Sequence, residues 1–358
     1  MEQGADGNNE EKVALGETER FDGVCRRMWL FGNGLLRRLR PGSARAIWPG
    51  RAGCVSLPAM NVHSGPASQG PLVFLDMDQQ ALDEAYDQEI WAPNRALVVE
   101  RRKAASERAR AILGSPKRVA YGPGEYEGLD IFDCGIAGAP INVFVHGGAW
   151  RRNVAADYAL QAEPLVCAGA HCVMIDFINV DQANGDLFPM YQQVRRALAW
   201  VYRNAESFGG DRDRIYISAH SSGSHLSGVV LTRGWSEEGL PPDFCKGAVL
   251  LSGMYDLAPV ALSKRSSYVK FTDSMVSELS SGRHIDGLHT PLILAIGTCE
   301  TLEFQRQSRD FVAAMKAKGK PAELLVGAGY NHFELLETLA NPYGLTGRAM
   351  LEQMQLVK

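Results

Sequence analysis

The chain has 358 residues, 46% of them hydrophobic and 22% charged, a balance that excludes wholesale disorder and fits one large domain with extras. A net charge of −4 gives no basic footprint for nucleic acid. No run of about 18 apolar residues occurs, so a membrane span is excluded as well.

The first seventy-odd residues are punctuated by Gly, Pro and Arg, as in Arg40-Pro41-Gly42-Ser43 and Ser64-Gly65-Pro66, without sustained periodicity. Residues 26–40 mix Trp29, Leu30, Phe31, Leu35 and Leu36 with arginines, a pattern compatible with an amphipathic helix on an anionic membrane. The preferred reading is that residues 1–76 form a disordered extension, with Met77 as a sensible alternative first residue. Acidic residues (Glu2, Asp6, Glu10, Glu11) precede any apolar run, which argues against a secretory signal. The cysteines at 25, 54, 134, 167, 172, 245 and 299 are scattered and contain no C-x-x-C pair. They suit reduced thiols in a cytoplasmic protein better than a zinc site or a disulfide framework.

From Asp78 the pattern becomes regular, and residues 77–358 are expected to form one domain. Two N-terminal helices are predicted over 78–90 and 95–113, the second ending at Gly114-Ser115-Pro116. This exposed pair offers a surface for a homodimer. After Tyr121-Gly122-Pro123-Gly124, short apolar runs alternate with helical stretches. The runs are Ile141–Val145, Cys172–Ile175, Ile215–Ser218, Val249–Leu251, Leu292–Ile296 and Leu324–Val326. Helices are predicted at 157–169, 189–207, 222–232, 305–318, 332–340 and 346–356. Uniformly apolar strands alternating with helices imply an α/β fold with a buried, mostly parallel sheet covered on both faces. In such sheets function sits beyond the carboxyl ends of the strands.

The residues following the strands carry chemistry. Ile141–Val145 runs into His146-Gly147-Gly148-Ala149-Trp150, where consecutive glycines turn sharply and leave N–H groups suited to an oxyanion. Ile215–Ser218 runs into Ala219-His220-Ser221-Ser222-Gly223 and then an apolar helix, the strand–turn–helix context of a nucleophile elbow. Ala219 stands where glycine is usual, so modest strain is expected there. Leu292–Ile296 leads to Glu300, and Leu324–Val326 to His332, giving the chain order Ser…Glu…His. His332 is the expected base, since an unperturbed imidazole titrates near neutral pH, at about 6.5, and Glu300 orients its ring. Asp256 is the competing acid, and Glu300 is preferred to it because it follows the penultimate strand. His220 and His225 flank the serine as packing residues, and His146 shapes its own loop. His171, His284 and His289 read as surface or loop positions, and no metal grouping is expected at His171-Cys172. Together these features point to a serine hydrolase that needs no cofactor.

Several motifs carry a family resemblance: Asp83-Glu84-Ala85-Tyr86, Tyr121-Gly122, Leu129-Asp130-Ile131-Phe132, His146-Gly147-Gly148-Ala149-Trp150, Glu300 through Ser308, and Asn331-His332-Phe333. From about Met77 onward the chain resembles the arylformamidase (kynurenine formamidase) branch of the α/β-hydrolase superfamily. The resemblance implies an α/β-hydrolase fold and hydrolysis of an aryl formamide to formate and free amine. It implies Ser221 as nucleophile, Glu300 as acid and His332 as base, with Gly147, Gly148 and Ser222 donating to the oxyanion. A carboxylesterase acting on short acyl or aryl esters is the alternative. Trp150, Tyr255 and Phe333 are expected to stack on the aromatic part of an amide or ester substrate. Residues 258–289, rich in Ser, Lys and Arg, are expected to form a small lid whose cations meet a substrate carboxylate.

Overall fold

The computed structural model describes residues 70–152 and 154–357. Segment 26–40 and the rest of residues 1–69 lie outside the described residues. Residues 70–76, counted with the extension by composition, are among the described residues: Phe74 pairs with Met77 as a bridge, and both lie against the core.

The apolar runs become strands of one eight-stranded sheet. They are β1 (Lys117–Ala120), β2 (Gly128–Phe132), β3 (Ala139–Val145), β4 (His171–Ile175), β5 (Gly210–His220), β6 (Cys245–Leu251), β7 (Leu292–Gly297) and β8 (Ala322–Gly327). The order across the sheet is β1-β2-β4-β3-β5-β6-β7-β8. β2 runs antiparallel to β1 and β4, whereas β3 to β8 are joined by parallel ladders. The two antiparallel strands were not among the predicted runs. β1 is a short, mostly exposed edge beginning Lys117-Arg118, and Arg118 Nη1 bonds Asp130 Oδ1 of β2 at 2.9 Å. Charge breaks the apolar signal in both.

Side-chain alternation explains why the parallel strands read as uniformly apolar. Ile141, Val143 and Val145 enter one core layer, while Phe144 enters the other. Ile215, Ile217 and Ala219 face the first layer, and Tyr216 the second.

Ten α-helices accompany the sheet among the described residues. They are α1 (Gln79–Ala85), α2 (Arg95–Leu113), α3 (Ala162–Cys167), α4 (Phe188–Asn204), α5 (Ser222–Leu231), α6 (Ala258–Leu262), α7 (Asp273–Glu278), α8 (Leu302–Ala317), α9 (His332–Glu337) and α10 (Leu345–Gln353). The predicted helix 157–169 is split: residues Ala155–Gln161 wind as a 3₁₀ turn, and α3 begins only at Ala162. Pro164 lies in the first turn of α3, where its missing N–H costs nothing. Residues 258–289 form α6, α7 and short 3₁₀ turns, anchored by buried Val260, Val269, Met275, Leu279, Ile285 and Leu288. No described helix is long and apolar enough to cross a membrane. The topology is that of an α/β-hydrolase.

Candidate active site

β5 delivers Ser221 to the carboxyl edge of the sheet. Its φ is 56° and ψ −122°, a conformation that L-residues seldom adopt, and α5 starts immediately after it. The sharp turn requires Gly223, because a Cβ there would sit 2.1 Å from the Val145 carbonyl oxygen and 2.5 Å from that of His146. Ala219 is accommodated within the ladder, paired with Val145 and Leu250, and its φ is not positive. The strain expected at Ala219 is therefore found two residues later, at the serine.

His332 opens α9 behind a reciprocal cap. Asn331 Oδ1 accepts from the Phe333 and Glu334 amides at 3.0 and 3.1 Å, and Glu334 Oε2 accepts from the Asn331 amide at 3.1 Å. Asn331 also donates to Asn94 Oδ1 at 2.8 Å, which ties the histidine loop to the start of α2. The Thr298 amide bonds the Gly327 carbonyl at 2.9 Å and that of Cys299 bonds the Tyr330 carbonyl at 3.0 Å, so the loops after β7 and β8 lie side by side.

These elements bring Ser221, His332 and Glu300 into one chain of contacts. His332 Nε2 lies 2.9 Å from Ser221 Oγ, and His332 Nδ1 lies 3.1 Å from Glu300 Oε2. The other carboxylate oxygen accepts from Ser252 Oγ and from the Gly297 amide, each at 2.7 Å. Glu300 is fully buried, so its charge depends on these donors. Ser252 carries no signal in the sequence, because a serine after a strand does not reveal that its hydroxyl will reach a carboxylate from another strand end. Asp256 instead caps the Ala258 amide at 3.1 Å and meets Arg283 at 3.3 Å, away from the imidazole.

The histidines beside the serine are packing residues. His220 Nε2 lies 2.9 Å from the His332 carbonyl oxygen, which can only accept, so this nitrogen carries a proton. Burial, then the neighbouring His332, push the His220 pKa well below the usual histidine value and keep the ring neutral. His225, in the first turns of α5, is buried, with Nδ1 accepting from Trp150 Nε1 at 3.2 Å, and burial lowers its pKa to about 4. His146 stacks on Phe177 at 4.3 Å, with its pKa also lowered by burial.

The glycine loop after β3 brings Gly147 against the elbow: a Cβ there would meet the His220 carbonyl oxygen at 2.7 Å. Ser222 lies in the first turn of α5, whose leading amides have no partner within the helix. The three aromatics expected at the substrate have different surroundings. Trp150 is buried against His225, and Tyr255 is buried and stacked on Phe311 at 4.4 Å. Both were displaced from solvent by their own size, since a large ring near a strand end finds more contact in the core. Phe333 alone remains partly exposed, its ring edge-on to His332 at 5.3 Å.

The cations of 258–289 are also engaged elsewhere. Lys264 pairs with Asp87, Lys270 Nζ donates to Asn184 at 2.9 Å, Arg283 meets Asp256, and Arg265 is buried against the Tyr86 carbonyl. His171, read as a surface or loop residue, is fully buried at the start of β4. It lies with Asp133 and Cys134, whose potential ligand atoms and its own fall within 4.8 Å of one another. Sequence spacing missed this grouping because β2 brings residues 133 and 134 there from far along the chain. Asp133 Oδ1 already sits 3.1 Å from His171 Nδ1, and burial raises the Cys134 thiol pKa, which disfavours the thiolate a metal needs.

The motifs that carried the resemblance meet in space. Tyr86 donates to Glu303 Oε2 at 2.9 Å and accepts from Gln307 Nε2 at 2.8 Å. Gln307 Oε1 in turn accepts from the Tyr255 and Asp256 amides at 2.6 and 2.8 Å, which braces the loop carrying Ser252.

A family model described as BD-FAE matches residues 129–238. The chain is 26% identical over 291 residues to a kynurenine formamidase of Danio rerio, covering 78% of this chain and 97% of that one. It is 28% identical over 248 residues to the esterase LipC of Mycobacterium tuberculosis, covering 62% and 60%. Among solved structures, a putative thioesterase from Silicibacter sp. TM1040 superposes with a TM-score of 0.64 at 22% identity, over 73% of this chain and 95% of that one. An esterase from Thermogutta terrifontis does so with a TM-score of 0.57 at 19% identity, over 68% and 96%. The chain is an arylformamidase-like α/β-hydrolase, and a hydrolase by reaction class.

Proposed function

We propose that this α/β-hydrolase cleaves the formamide of an aromatic amine, of the N-formylkynurenine kind, through an acyl-enzyme on Ser221. The observation that carries the reading is the continuous Ser221–His332–Glu300 chain, with contacts of 2.9 and 3.1 Å and a carboxylate wholly buried behind it. His332 Nε2 takes the hydroxyl proton as Ser221 Oγ attacks the formyl carbon. Glu300 holds Nδ1–H and stabilises the imidazolium. The amides of Gly147, Gly148 and Ser222 are assigned to the developing oxyanion, where one donor is worth about 3 kcal/mol. His332 then returns the proton to the amine nitrogen as the C–N bond breaks. Water, deprotonated by the same ring, attacks the formyl ester, and formate leaves as the serine is reprotonated. The deep setting of Ser221 and His332, 6% and 4% exposed, favours a small acyl group.

The likeness to kynurenine formamidases over about three-quarters of the chain supports the formamide. Relatives named esterases favour a second reading, hydrolysis of short-chain or aryl esters by the same three residues. The test compares N-formylkynurenine with p-nitrophenyl acetate and butyrate, using Ser221→Ala as blank. The formamide is expected to give the higher kcat/KM, and Ser221→Ala to lower kcat by about 10⁵–10⁶ without unfolding. Rapid ester turnover with no formamide cleavage moves the protein to the esterases. Full turnover by Ser221→Ala overturns both readings.

A further inference from the structure

The cations expected to meet a substrate carboxylate are engaged with other partners, yet two arginines from outside 258–289 lie on segments next to those that carry the reacting residues: Arg95 packs on Phe333, the neighbour of His332, and Arg152 ends the glycine loop. Arg95 opens α2, directly after the Asn94 that is bonded to the histidine loop. Its guanidinium carbon lies 5.5 Å from the centre of the Phe333 ring, which itself meets the His332 ring at 5.3 Å. Arg152 closes the loop that begins at Gly147 and Gly148. The two arginines converge on a single carboxylate oxygen: Arg95 Nη2 lies 3.0 Å, and Arg152 Nη1 2.9 Å, from Glu89 Oε1.

This trio joins the loop assigned to the oxyanion to the loop of the histidine, and it is not neutral. Two guanidinium groups share one carboxylate, which leaves one net positive charge. Their side chains are 34% and 59% exposed, so an incoming anion can reach them from solvent. Arg95 Nε is buried without a hydrogen-bond partner among the described residues, so the fork's donors are not exhausted by Glu89. The only aromatic of the expected three to keep an open face, Phe333, lies under Arg95.

We propose that Arg95 and Arg152 form a carboxylate-recognition site, so that the preferred substrate is an aryl amide whose ring carries a short side chain ending in a carboxylate. The inference rests on the formamidase reading for its substrate. The ring lies against Phe333, the formyl group reaches Ser221, and the carboxylate joins Glu89 as a second counter-ion. Glu89 holds the arginines in place when the site is empty and offsets half of their charge. Arginine suits this task because its planar fork matches a carboxylate.

The test is a ratio: kcat/KM for N-formylkynurenine over kcat/KM for its carboxamide, which differs only in lacking the negative charge. Arg95→Gln and Arg152→Gln are each expected to lower this ratio about threefold to tenfold, the range for a charge contact open to solvent. The loss should appear in KM, and Arg→Lys at either position should restore part of it. Glu89→Gln should raise the ratio, and added salt should lower it in the unmodified protein. Thermal melts establish that each variant is folded. A ratio unchanged in the double variant Arg95→Gln/Arg152→Gln overturns the proposal. If neither formamide is cleaved but esters are, the formamidase reading fails separately. The ratio for 3-(2-acetoxyphenyl)propanoate over its carboxamide then judges the arginines by the same criterion.

Discussion

Replacing Ser252 by alanine separates the support of the acid from the acid itself. Glu300 Oε1 has two donors, Ser252 Oγ and the Gly297 amide, both at 2.7 Å, and the carboxylate has no access to water. A hydrogen bond to a buried charge contributes about 1.5–3 kcal/mol, so Ser252→Ala should destabilise the protein by about 2 kcal/mol. For a domain of this size that corresponds to a fall in Tm of roughly 3 °C. With one anchor gone, Glu300 no longer holds the imidazole in a single orientation. A loss of about 1.4 kcal/mol at the transition state would lower kcat tenfold. KM should change little, because Ser252 is buried behind the carboxylate. Steady-state kinetics on one ester and one formamide, with a melt on the same sample, measure all three quantities. Asp256→Asn is the matched control, since Asp256 caps α6 and faces Arg283. Normal kcat in Ser252→Ala together with a tenfold loss in Asp256→Asn would refute the reasoning and return the acid to Asp256.

Three further outcomes follow from the same geometry. Gly223→Ala places a methyl group 2.1 Å from a backbone oxygen of β3, which cannot move away alone, so a loss of about 3 kcal/mol and most activity is expected; an unchanged Tm would contradict the close approach. His225 remains neutral in the folded protein down to about pH 4, while the unfolded chain takes up its proton near pH 6.5. Stability is therefore complete above pH 6.5 and falls toward pH 4, by about 3 kcal/mol in all from this residue. Urea titrations at pH 7 and pH 5 should show His225→Gln to be less pH-sensitive than the parent, and equal slopes would sink that account. Tyr86→Phe removes the hydroxyl shared by Glu303 and Gln307, for an expected loss of about 2 kcal/mol in a chemical denaturation curve, and no loss would mean that water replaces it.

How much of this was legible in the chain depended on whether the signal was local. β3 to β7 were readable because burial on both faces makes a strand apolar throughout, and β8, a half-exposed edge, through its Leu324–Val326 run alone. β1 and β2 were not, since an exposed edge and the Arg118–Asp130 pair remove that signal. Ser221, Glu300 and His332 each follow an apolar run, so strand ends located them without knowledge of sheet order. Ser252 follows a run too, but a serine gives no sign that its hydroxyl supports a carboxylate 48 positions later. The fates of Trp150 and Tyr255 were undecidable from sequence, because the same large ring serves core and pocket. The charges of 258–289 misled for a related reason: composition counts cations, whereas pairing with Asp87, Asn184 and Asp256 determines which are free.

Backbone strain supplies an argument for the site that does not depend on which side chains line it. Seven non-glycine residues among those described have positive φ, and four of them, Ala149, Trp150, Ser221 and Ser252, follow the ends of β3, β5 and β6. Those strands are neighbours in the sheet, so the strain is gathered at one edge. Such conformations cost on the order of 1–3 kcal/mol each and persist only where the surroundings impose them. Here the impositions are visible: the Ser221 amide bonds the Leu251 carbonyl at 2.8 Å, the Ser252 amide bonds that of Ala295 at 2.9 Å, and the Trp150 amide bonds Ser222 Oγ at 3.2 Å. Three of the four strained residues, Trp150, Ser221 and Ser252, are thus fastened to another strand or loop of the site. A fold without chemistry at this edge would gain stability by relaxing these turns. Strain gathered at three adjacent strand ends fits the proposed acyl transfer, since the hydroxyl must already face the reacting carbon, and the amide donors its oxygen, when the substrate arrives.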